Sequence, residues 1–542
     1  PAAAPTVAKT EPKAAAPTAA PAAGAATATA PAAAKPAAAT PAPKVKRGGT
    51  LVTAIPNIPP TMDPLYDNGG RFLRELALYE APLRYQLVDE QTGKQELKPW
   101  LAESWQTPDP KTIVLKFRKG VKFHDGSDLT AEVAKWSLDR MGSAPKSLSK
   151  AFAANFDKLE VVDPLTLKIT YKNPSALNLL NLTNGTDGTG CVGPSIVSKA
   201  QMDKVGEEGF RTQPSGTGPM KLSEFRDGDV IAVTKAAGHW QQGVDGQPLP
   251  YLDGIRMRKI SDSSVTVMEV KTGNVHLADE MILKTDYASI RADPQLNLLL
   301  LPWAGSRWYY GFNQHKEPFG TSLKLRQATN YAVDRVSMAK VLGMEAGAPL
   351  YYVTWAPGMV GYDESLPRYE FNLDKAIQLV KEAGFPNGVD IEYSHTVPTQ
   401  YRKAAEVVQG MWLKAGIRAT LNPMEETAAR QKYKLGQFDV NAGAVTYSPD
   451  PAFFNRKYLC DGSANWSNYC NPELDKCLLE GERTLDDKQR GEIYKRCQKI
   501  IYEDSLLNGL FLEGPAIVTR KEVKGLKLQS LSPDLDEVWL DK

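Results

Sequence analysis

The sequence has no long apolar run and no excess of either charge, and these two absences exclude several classes of protein. No stretch of about 18 consecutive apolar residues occurs, so no helix that spans a membrane is predicted. The 65 basic and 63 acidic residues are interspersed and leave a net charge of +2. Such a chain presents no broad basic surface, and we therefore expect no nucleic-acid partner.

Motifs for metal binding and catalysis are also missing. The five histidines are scattered and no Cys-x-x-Cys pair occurs, which argues against a metal site built by the protein. Neither Gly-x-Ser-x-Gly nor His-Glu-x-x-His is present. We therefore predict no catalytic residues, no metal site and no cofactor, and we do not expect an enzyme. Because carboxylates are plentiful, a secreted hydrolase is kept as an alternative.

The first 43 residues lack aromatic side chains and consist almost wholly of Ala, Pro and Thr with a few Lys. They can bury no core, and the repeated prolines interrupt helix, so a disordered tether over residues 1–45 is predicted. The remaining chain exceeds what one hydrophobic core usually supports, and two or three domains are expected.

Cysteine is rare, and four of the five cysteines lie near the C-terminus. We predict two local disulfides, Cys460 to Cys470 and Cys477 to Cys497, which would suit an oxidising compartment. Buried free thiols are the alternative for the second pair. Cys191 is left over in either case.

The chain is organised around a central stretch that begins with an apolar run, Leu298 to Leu301. A second β-prone run, Trp308 to Phe312, follows a Gly-containing break, and the next apolar residues recur at helical spacing. Four large aromatic residues surround the break, namely Trp303, Trp308, Tyr309 and Tyr310. Rings with polar groups at a strand end suit a ligand cleft, and a core aromatic cluster is the alternative.

The following segment alternates between helix and strand. The pattern predicts a helix over Asn372 to Ala383, a strand over Val389 to Tyr393, a helix from Thr399 to Ala415 and a strand over Ile417 to Leu421. Strand, helix and strand at this spacing form a βαβ unit with a parallel sheet. The fold class is therefore α/β.

Short motifs in order resemble the family 5 extracytoplasmic solute-binding proteins, which are components of ABC importers. The motifs are Arg47-Gly-Gly-Thr-Leu51, Val121-Lys-Phe-His-Asp-Gly126, Gly216-Thr-Gly-Pro-Met220, Phe312-Asn313, Leu325-Arg-Gln-Ala328, Tyr331-Ala-Val-Asp-Arg335 and Asn471-Pro-Glu-Leu-Asp475. The resemblance covers nearly all of the chain from Lys46 onward. It implies a two-lobed periplasmic-binding-protein-like fold, of type II in the large cluster C form.

The resemblance also implies domain limits. Residues 46–75, 195–297 and 512–542 would form the core of lobe I, residues 76–194 an extra subdomain of lobe I, and residues 298–511 lobe II. A strand at Leu506 to Leu512 would pair with Leu298 to Leu301, and these two strands would be the hinge.

By resemblance, the protein would capture a small solute between its lobes and deliver it to the permease subunits of an ABC importer. We expect a monomer outside the cytoplasm, in the periplasm or at the cell surface, with a lipid anchor on a residue before Pro1. Nickel and haem carriers are known in the family, so a carrier of a metal chelate is a further alternative.

Eleven residues are the candidate solute-binding set implied by position and residue type. They are Asn68, Gly69, Gly70, Trp303, Trp308, Tyr309, Asn313, Trp355, Tyr447, Asp450 and Trp466. Peptide-binding members carry an aspartate at the position of Tyr447. A phenol is neutral and gives no charge to a peptide ammonium, so a solute with hydroxyls, an amide or an aromatic face is favoured over a free peptide.

Overall fold

The computed structural model describes most of the chain after the Ala- and Pro-rich segment. The described residues are 44–66, 77–90, 93–183, 194–279, 282–301, 305–343, 348–350, 355–397, 399–446, 448, 450–528 and 533–542. No helix in these ranges is both long and apolar enough to cross a membrane. Cys191 and residues 1–43 of the predicted tether lie outside the described residues.

Lobe I is built on a seven-stranded sheet that uses both ends of the folded chain. In spatial order its strands are Leu296–Leu300, Ala516–Arg520, Leu277–Ala278, Thr50–Ile55, Gly254–Lys259, Val230–Lys235 and Met220–Arg226. Alternate residues of Thr50–Ile55 enter different cores, with Leu51 and Ile55 on one face and Ala54 on the other. The sheet is therefore covered on both faces.

A separate four-stranded antiparallel sheet lies within residues 76–194, for which an extra subdomain of lobe I is predicted. Its order is Ala102–Asp109, Thr112–Phe117, Thr166–Tyr171 and Phe156–Asp163. The helix Ala131–Ser143 begins where the side chain of Thr130 accepts from the backbone N–H of Val133. Three further pairs of short strands belong to lobe I, namely Leu83–Asp89 with Lys94–Pro99, Val523–Lys524 with Trp539–Leu540, and Lys527–Leu528 with Pro533–Asp534.

Lobe II is built on a six-stranded sheet. Its order is Ala348–Pro349, Leu507–Glu513, Ser306–Phe312, Val440–Thr446, Val389–Thr396 and Ile417–Met424. Val389–Thr396 pairs in parallel with both Ile417–Met424 and Val440–Thr446. This confirms the predicted βαβ unit.

Helices cover the sheets and join their strands. In lobe I they are Ala131–Ser143, Lys150–Ala153, Leu177–Leu180, Lys199–Phe210, Ser263–Thr272 and Tyr287–Arg291, with a 3₁₀ turn at Lys284–Asp286. In lobe II they are Leu323–Tyr331, Arg335–Val341, Leu373–Glu382, Thr399–Lys414, Glu426–Lys434, Pro472–Arg483 and Asp487–Glu503, with a 3₁₀ helix at Pro451–Lys457.

The two sheets are joined by two connections, and one predicted strand pairing is wrong. Leu296–Leu300 pairs antiparallel with Ala516–Arg520 in lobe I, whereas Leu507–Glu513 pairs with Ser306–Phe312 in lobe II. The chain therefore crosses between lobes after Leu301 and again between Glu513 and Ala516. Local apolarity predicted the strands at Leu298 to Leu301 and Leu506 to Leu512. It did not predict Ala516–Arg520, which a two-residue break separates from Leu507–Glu513 and which is the strand that pairs with Leu296–Leu300.

Candidate functional site

One edge of the lobe II sheet lies where the chain crosses from lobe I. The first connection enters at Ser306, and the second leaves at Glu513, which pairs with Ser306. Thr446, the last residue of Val440–Thr446, also pairs with Ser306, so the carboxyl ends of the parallel strands lie at this edge. Ligands of open α/β sheets bind outside the carboxyl ends of the strands. This edge and the side chains behind it are therefore the candidate site.

Trp308 and Tyr309 are consecutive strand residues, so their side chains point to opposite faces of the sheet. The Trp308 ring is buried against Tyr401, at 4.5 Å between ring centroids, and Phe511, at 5.3 Å. Tyr309 belongs to the apolar cluster on the other face, which includes Trp355 and Phe454. The two aromatic residues predicted to line one cleft are thus separated by the sheet.

Tyr309 meets a buried lysine on its face of the sheet. The ammonium of Lys457 donates a hydrogen bond to the phenol oxygen of Tyr309 at 2.9 Å and lies 4.8 Å from the ring centroid. Tyr309 is 3% exposed and Lys457 is 7% exposed. Lys457 is the last residue of the 3₁₀ helix Pro451–Lys457, which follows the carboxyl end of Val440–Thr446. A cation is therefore held against Tyr309, three residues along the strand from Ser306.

Glycine on the neighbouring strand makes room for the Tyr309 ring. Tyr309 pairs with Gly443 on one side and with Gly509 on the other. A Cβ atom at Gly443 would lie 2.8 Å from the Tyr309 hydroxyl oxygen. The ring thus lies across the Gly443 backbone, and no larger residue fits there without displacing it.

Further aromatic side chains stand near this group. Burial raises the pKa of Tyr433 and of Tyr401, and Tyr309 is close enough to each phenol to add a smaller increase. The hydroxyl of Tyr433 donates to the Ser394 carbonyl at 3.3 Å. Trp466, which is half-buried, meets Tyr433 edge-on at 6.3 Å between centroids.

Asp450 is engaged within lobe II. Both of its carboxylate oxygens accept from Nη2 of Arg490 at 2.8 Å, and Oδ1 also accepts from the Ala452 backbone N–H at 2.9 Å. These bonds cap the 3₁₀ helix and hold it to Asp487–Glu503. Direct contact of Asp450 with solute stays a prediction, and the carboxylate already has partners.

Asn313 and Trp355 are also occupied by the fold. Asn313 follows the end of Ser306–Phe312 farthest from the connections, and its amide donates to the carbonyls of Gly436, at 2.7 Å, and Phe438, at 3.1 Å. Trp355 is buried against Tyr494 at 5.9 Å between centroids. The remaining predicted residues lie outside the described residues, namely Asn68, Gly69, Gly70, Trp303 and Tyr447.

The two lobes also touch away from the connections. In the lobe I subdomain, the Ser175 hydroxyl donates to a carboxylate oxygen of Glu482 at 3.1 Å, and the Ala176 backbone N–H donates to the Glu482 carbonyl at 2.8 Å. Leu177 packs against the apolar cluster that contains Tyr309. Glu482 is in the lobe II helix Pro472–Arg483, so these contacts bridge the lobes.

Comparison with known proteins identifies the family. Residues 96–465 match the family model for bacterial extracellular solute-binding proteins, family 5 (middle). The chain belongs to this family. It is 30% identical over 430 residues to the glutathione-binding protein GsiB of Escherichia coli O1:K1, covering 76% of this chain and 80% of the relative.

Solved structures share the fold of this family 5 protein. HbpA2 from Haemophilus parasuis superposes with a TM-score of 0.80 at 23% identity, covering 91% of this chain and all of that one. DppA from Helicobacter pylori, in complex with the peptide STSA, gives a TM-score of 0.72 at 24% identity, covering 92% of this chain and 99% of that one. Both matches support the two-lobed α/β fold.

Membership in the family confirms the expectation that the protein is a solute-binding protein of an ABC importer rather than an enzyme. Proteins of this family act outside the cytoplasm. The structure contains both predicted disulfides, Cys460–Cys470 and Cys477–Cys497. Within the described ranges, no group of three or more His, Cys, Asp or Glu is arranged to hold a metal ion.

Sequence reasoning missed Lys457 and Arg490. Lys457 lies three residues after the apolar run Ala452 to Phe454 and directly after Asn455 and Arg456, so the local sequence is typical of an exposed lysine. Neither its partner Tyr309 nor the pairing of Arg490 with Asp450 has a local signal, because the partners are 148 and 40 residues apart in the chain.

Proposed function

We propose that this protein captures a small solute between lobe I and lobe II and delivers it to an ABC import permease. The observation that carries the proposal is the pair of connections after Leu301 and between Glu513 and Ala516. Among the described strands, these are the two places where the chain passes from one large sheet to the other. Two short adjacent connections act as a hinge about which lobes close on a ligand. The bridging contacts of Glu482 would belong to the closed form.

A short peptide-like solute is the best-supported class. The support is the 30% identity to a glutathione-binding relative over most of both chains. The buried phenols and the lysine behind the strand edge offer hydrogen bonds to carbonyl and carboxyl oxygens of such a solute. A saccharide or aromatic solute is the second candidate, because Tyr447 stands where peptide-binding members have an aspartate.

Identification of a bound solute is the direct test. Freshly purified protein would be denatured and the released small molecules analysed by mass spectrometry. Protein stripped of solute would then be titrated with glutathione, trialanine, maltotriose and nickel–histidine while its unfolding temperature is followed. A ligand that binds only the folded protein raises that temperature in a saturable way.

We expect glutathione or trialanine to give the largest rise in unfolding temperature. A response to maltotriose alone would replace the peptide-like class by the saccharide class, and a response to nickel–histidine alone would favour the metal-chelate alternative. Absence of any released solute together with no response to all four compounds would contradict the proposed solute classes. The expected monomer and lipid anchor stay predictions.

A further inference from the structure

We infer that Lys457 and Tyr309 together form a subsite for a carboxylate group of the solute. The inference rests on the proposed function, since it assigns chemistry to the same cleft edge. The ammonium of Lys457 has three protons to donate, and the only hydrogen bond it makes within the described part of the chain is to the Tyr309 phenol. Two donors of a residue that is 7% exposed thus have no protein acceptor in that part.

Three other buried cations of lobe II, namely Arg490, Arg335 and Arg326, have more acceptors than Lys457. Arg490 pairs with the Asp450 carboxylate. Arg335 donates to at least six oxygens, including the carbonyls of Leu350, Gly509 and Tyr369. The guanidinium of Arg326 donates to the carbonyls of Phe319, Gly320 and Asp504. Lys457 differs because, within the described ranges, its ammonium has one acceptor, the neutral phenol oxygen of Tyr309.

Two acidic residues of this loop and its neighbouring helix, Asp450 and Glu482, already have partners. Asp450 is bound by Arg490. Glu482 accepts from the Asn455 amide at 2.8 Å and from the Ser175 hydroxyl at 3.1 Å. In the ranges that the structure describes, no carboxylate lies within ion-pair distance of Lys457. The positive charge of Lys457 is therefore available to a negatively charged group of a ligand.

A buried ammonium without a counter-ion destabilises a protein, and a phenol supplies no full charge. A carboxylate brought by the solute would remove this penalty and fill the free donors. Because the phenol oxygen accepts from Lys457, the hydroxyl proton of Tyr309 is free to point at the same solute group. One carboxylate oxygen would accept from the Lys457 ammonium and the other from the Tyr309 hydroxyl.

The two donors are fixed in place by the fold. Tyr309 is held between Gly443 and Gly509 on the neighbouring strands, and its ring cannot swing through the Gly443 backbone. Lys457 ends a 3₁₀ helix whose start is fixed by Asp450 and Arg490. Fixed donors lose little freedom when a ligand binds, which favours recognition of a charged group.

Acetate is the smallest probe of the subsite. Wild type, Lys457→Met, Tyr309→Phe and the exposed control Lys488→Met would be freed of solute and titrated with sodium acetate against sodium chloride of equal ionic strength. We expect a saturable rise in unfolding temperature for wild type and Lys488→Met, a smaller rise for Tyr309→Phe and none for Lys457→Met. Equal acetate responses of wild type and Lys457→Met would overturn the inference.

Peptides separate this inference from the proposed function. Trialanine is expected to bind wild type at least about 30-fold more tightly than trialanine amide, and Lys457→Met is expected to lose that preference. If both peptides bind wild type equally and acetate has no effect, the carboxylate subsite is wrong and the peptide receptor stands. If acetate acts through Lys457 and neither the peptides nor glutathione binds, the subsite stands and the peptide-like class is wrong.

Should Lys457→Met fail to fold, Tyr309→Phe and Lys457→Arg carry the test. Lys457→Arg keeps the charge and should retain part of the acetate response. A site built from both donors would be contradicted if Tyr309→Phe kept the full acetate response and Lys457→Arg showed none. No acetate effect in wild type, combined with no discrimination between trialanine and its amide, also overturns the inference.

Discussion

Asp450 and Arg490 form a buried ion pair in which one guanidinium nitrogen, Nη2, donates to both carboxylate oxygens at 2.8 Å. Their side chains are 10% and 4% exposed. The pair joins the loop after Val440–Thr446 to the helix Asp487–Glu503, and it thereby positions Pro451–Lys457. Asp450, which was predicted to be a solute ligand, therefore has a structural partner inside lobe II.

Replacing Asp450 by asparagine should destabilise the protein strongly. Breaking a buried pair from one side leaves an uncompensated charge and costs about 3–5 kcal/mol. Urea denaturation would measure the loss. The matched control is Asp487→Asn, since Asp487 contacts the same Arg490 at 3.3 Å but its side chain is 77% exposed. The control should change stability by at most about 1 kcal/mol.

Solute binding by the Asp450→Asn variant decides the remaining question about this residue. We expect folded variant protein at low temperature to bind the solute with near wild-type affinity. A variant as stable as wild type that has lost solute binding would instead make Asp450 a solute ligand.

Gly443→Ala should damage the site by displacing Tyr309. The added methyl group would approach the Tyr309 ring to 2.8 Å, and forced repacking of this kind costs about 1–3 kcal/mol. Because the phenol must move away from Lys457, the response to acetate should also weaken. Differential scanning fluorimetry with and without acetate measures both effects.

Gly410→Ala is the control for that substitution. Gly410 is an exposed residue in the helix Thr399–Lys414, and a Cβ atom there meets nothing within 4 Å. This variant should be stabilised by about 0.5–1 kcal/mol, because alanine favours helix over glycine. Equal behaviour of the two variants would show that the ring does not lie across Gly443.

Glu482→Ala should shift the ligand-free protein towards an open arrangement. The substitution removes the acceptor for Ser175, and a hydrogen bond to a charged group contributes about 1.5–3 kcal/mol. Small-angle X-ray scattering should show a larger radius of gyration, and solute affinity should fall by about tenfold or more because closure becomes less favourable. Glu480→Ala, whose partner Arg496 lies in the same lobe at 3.0 Å, should change neither quantity.

Glu80 should make the protein less stable as the pH rises from 7 to 9. Burial raises the pKa of this carboxyl group from 4.5 to about 8, while hydrogen bonds from the Trp240 ring N–H to both carboxylate oxygens act in the opposite direction. The folded state then holds a proton that the unfolded state releases, so stability falls as the pH passes through the folded pKa. With these two pKa values the loss is about 1.4 kcal/mol between pH 7 and pH 9.

Thermal unfolding of Glu80→Gln across the same pH range tests this prediction. The variant should lack the decline, whereas the exposed control Glu132→Gln should keep it. Burial lowers the pKa of the neighbouring His239 to about 4, so that histidine is neutral above pH 7 in the folded protein and does not contribute to the change. A decline of equal size in Glu80→Gln would assign it to another group.

Local sequence patterns were sufficient to predict much of the secondary structure of lobe II. Apolar spacing predicted the unit from Val389 to Leu421, because one amphipathic helix and two short apolar strands determine it with neighbouring residues alone. The Cys460–Cys470 and Cys477–Cys497 bonds were also predicted, since each joins segments only 10 or 20 residues apart.

Contacts between distant segments were not predicted. The pairing of Leu296–Leu300 with Ala516–Arg520 joins segments more than 200 residues apart, and both segments are as apolar as the strand Leu507–Glu513 that was wrongly placed there. In the candidate site, residue type alone favoured Asn313, whose amide binds backbone carbonyls. It gave no reason to select Lys457, because the burial of a lysine depends on what lies across the sheet.

The position of Ala516–Arg520 has a consequence for the order in which the chain can fold during synthesis. This strand lies inside the lobe I sheet, between Leu296–Leu300 and Leu277–Ala278, and it is formed by residues near the C-terminus. Every strand of the lobe II sheet precedes it in the chain. The lobe that begins first on the ribosome is therefore the last whose sheet can be completed, and a chain truncated before Ala516 would retain a full lobe II sheet beside a divided lobe I sheet.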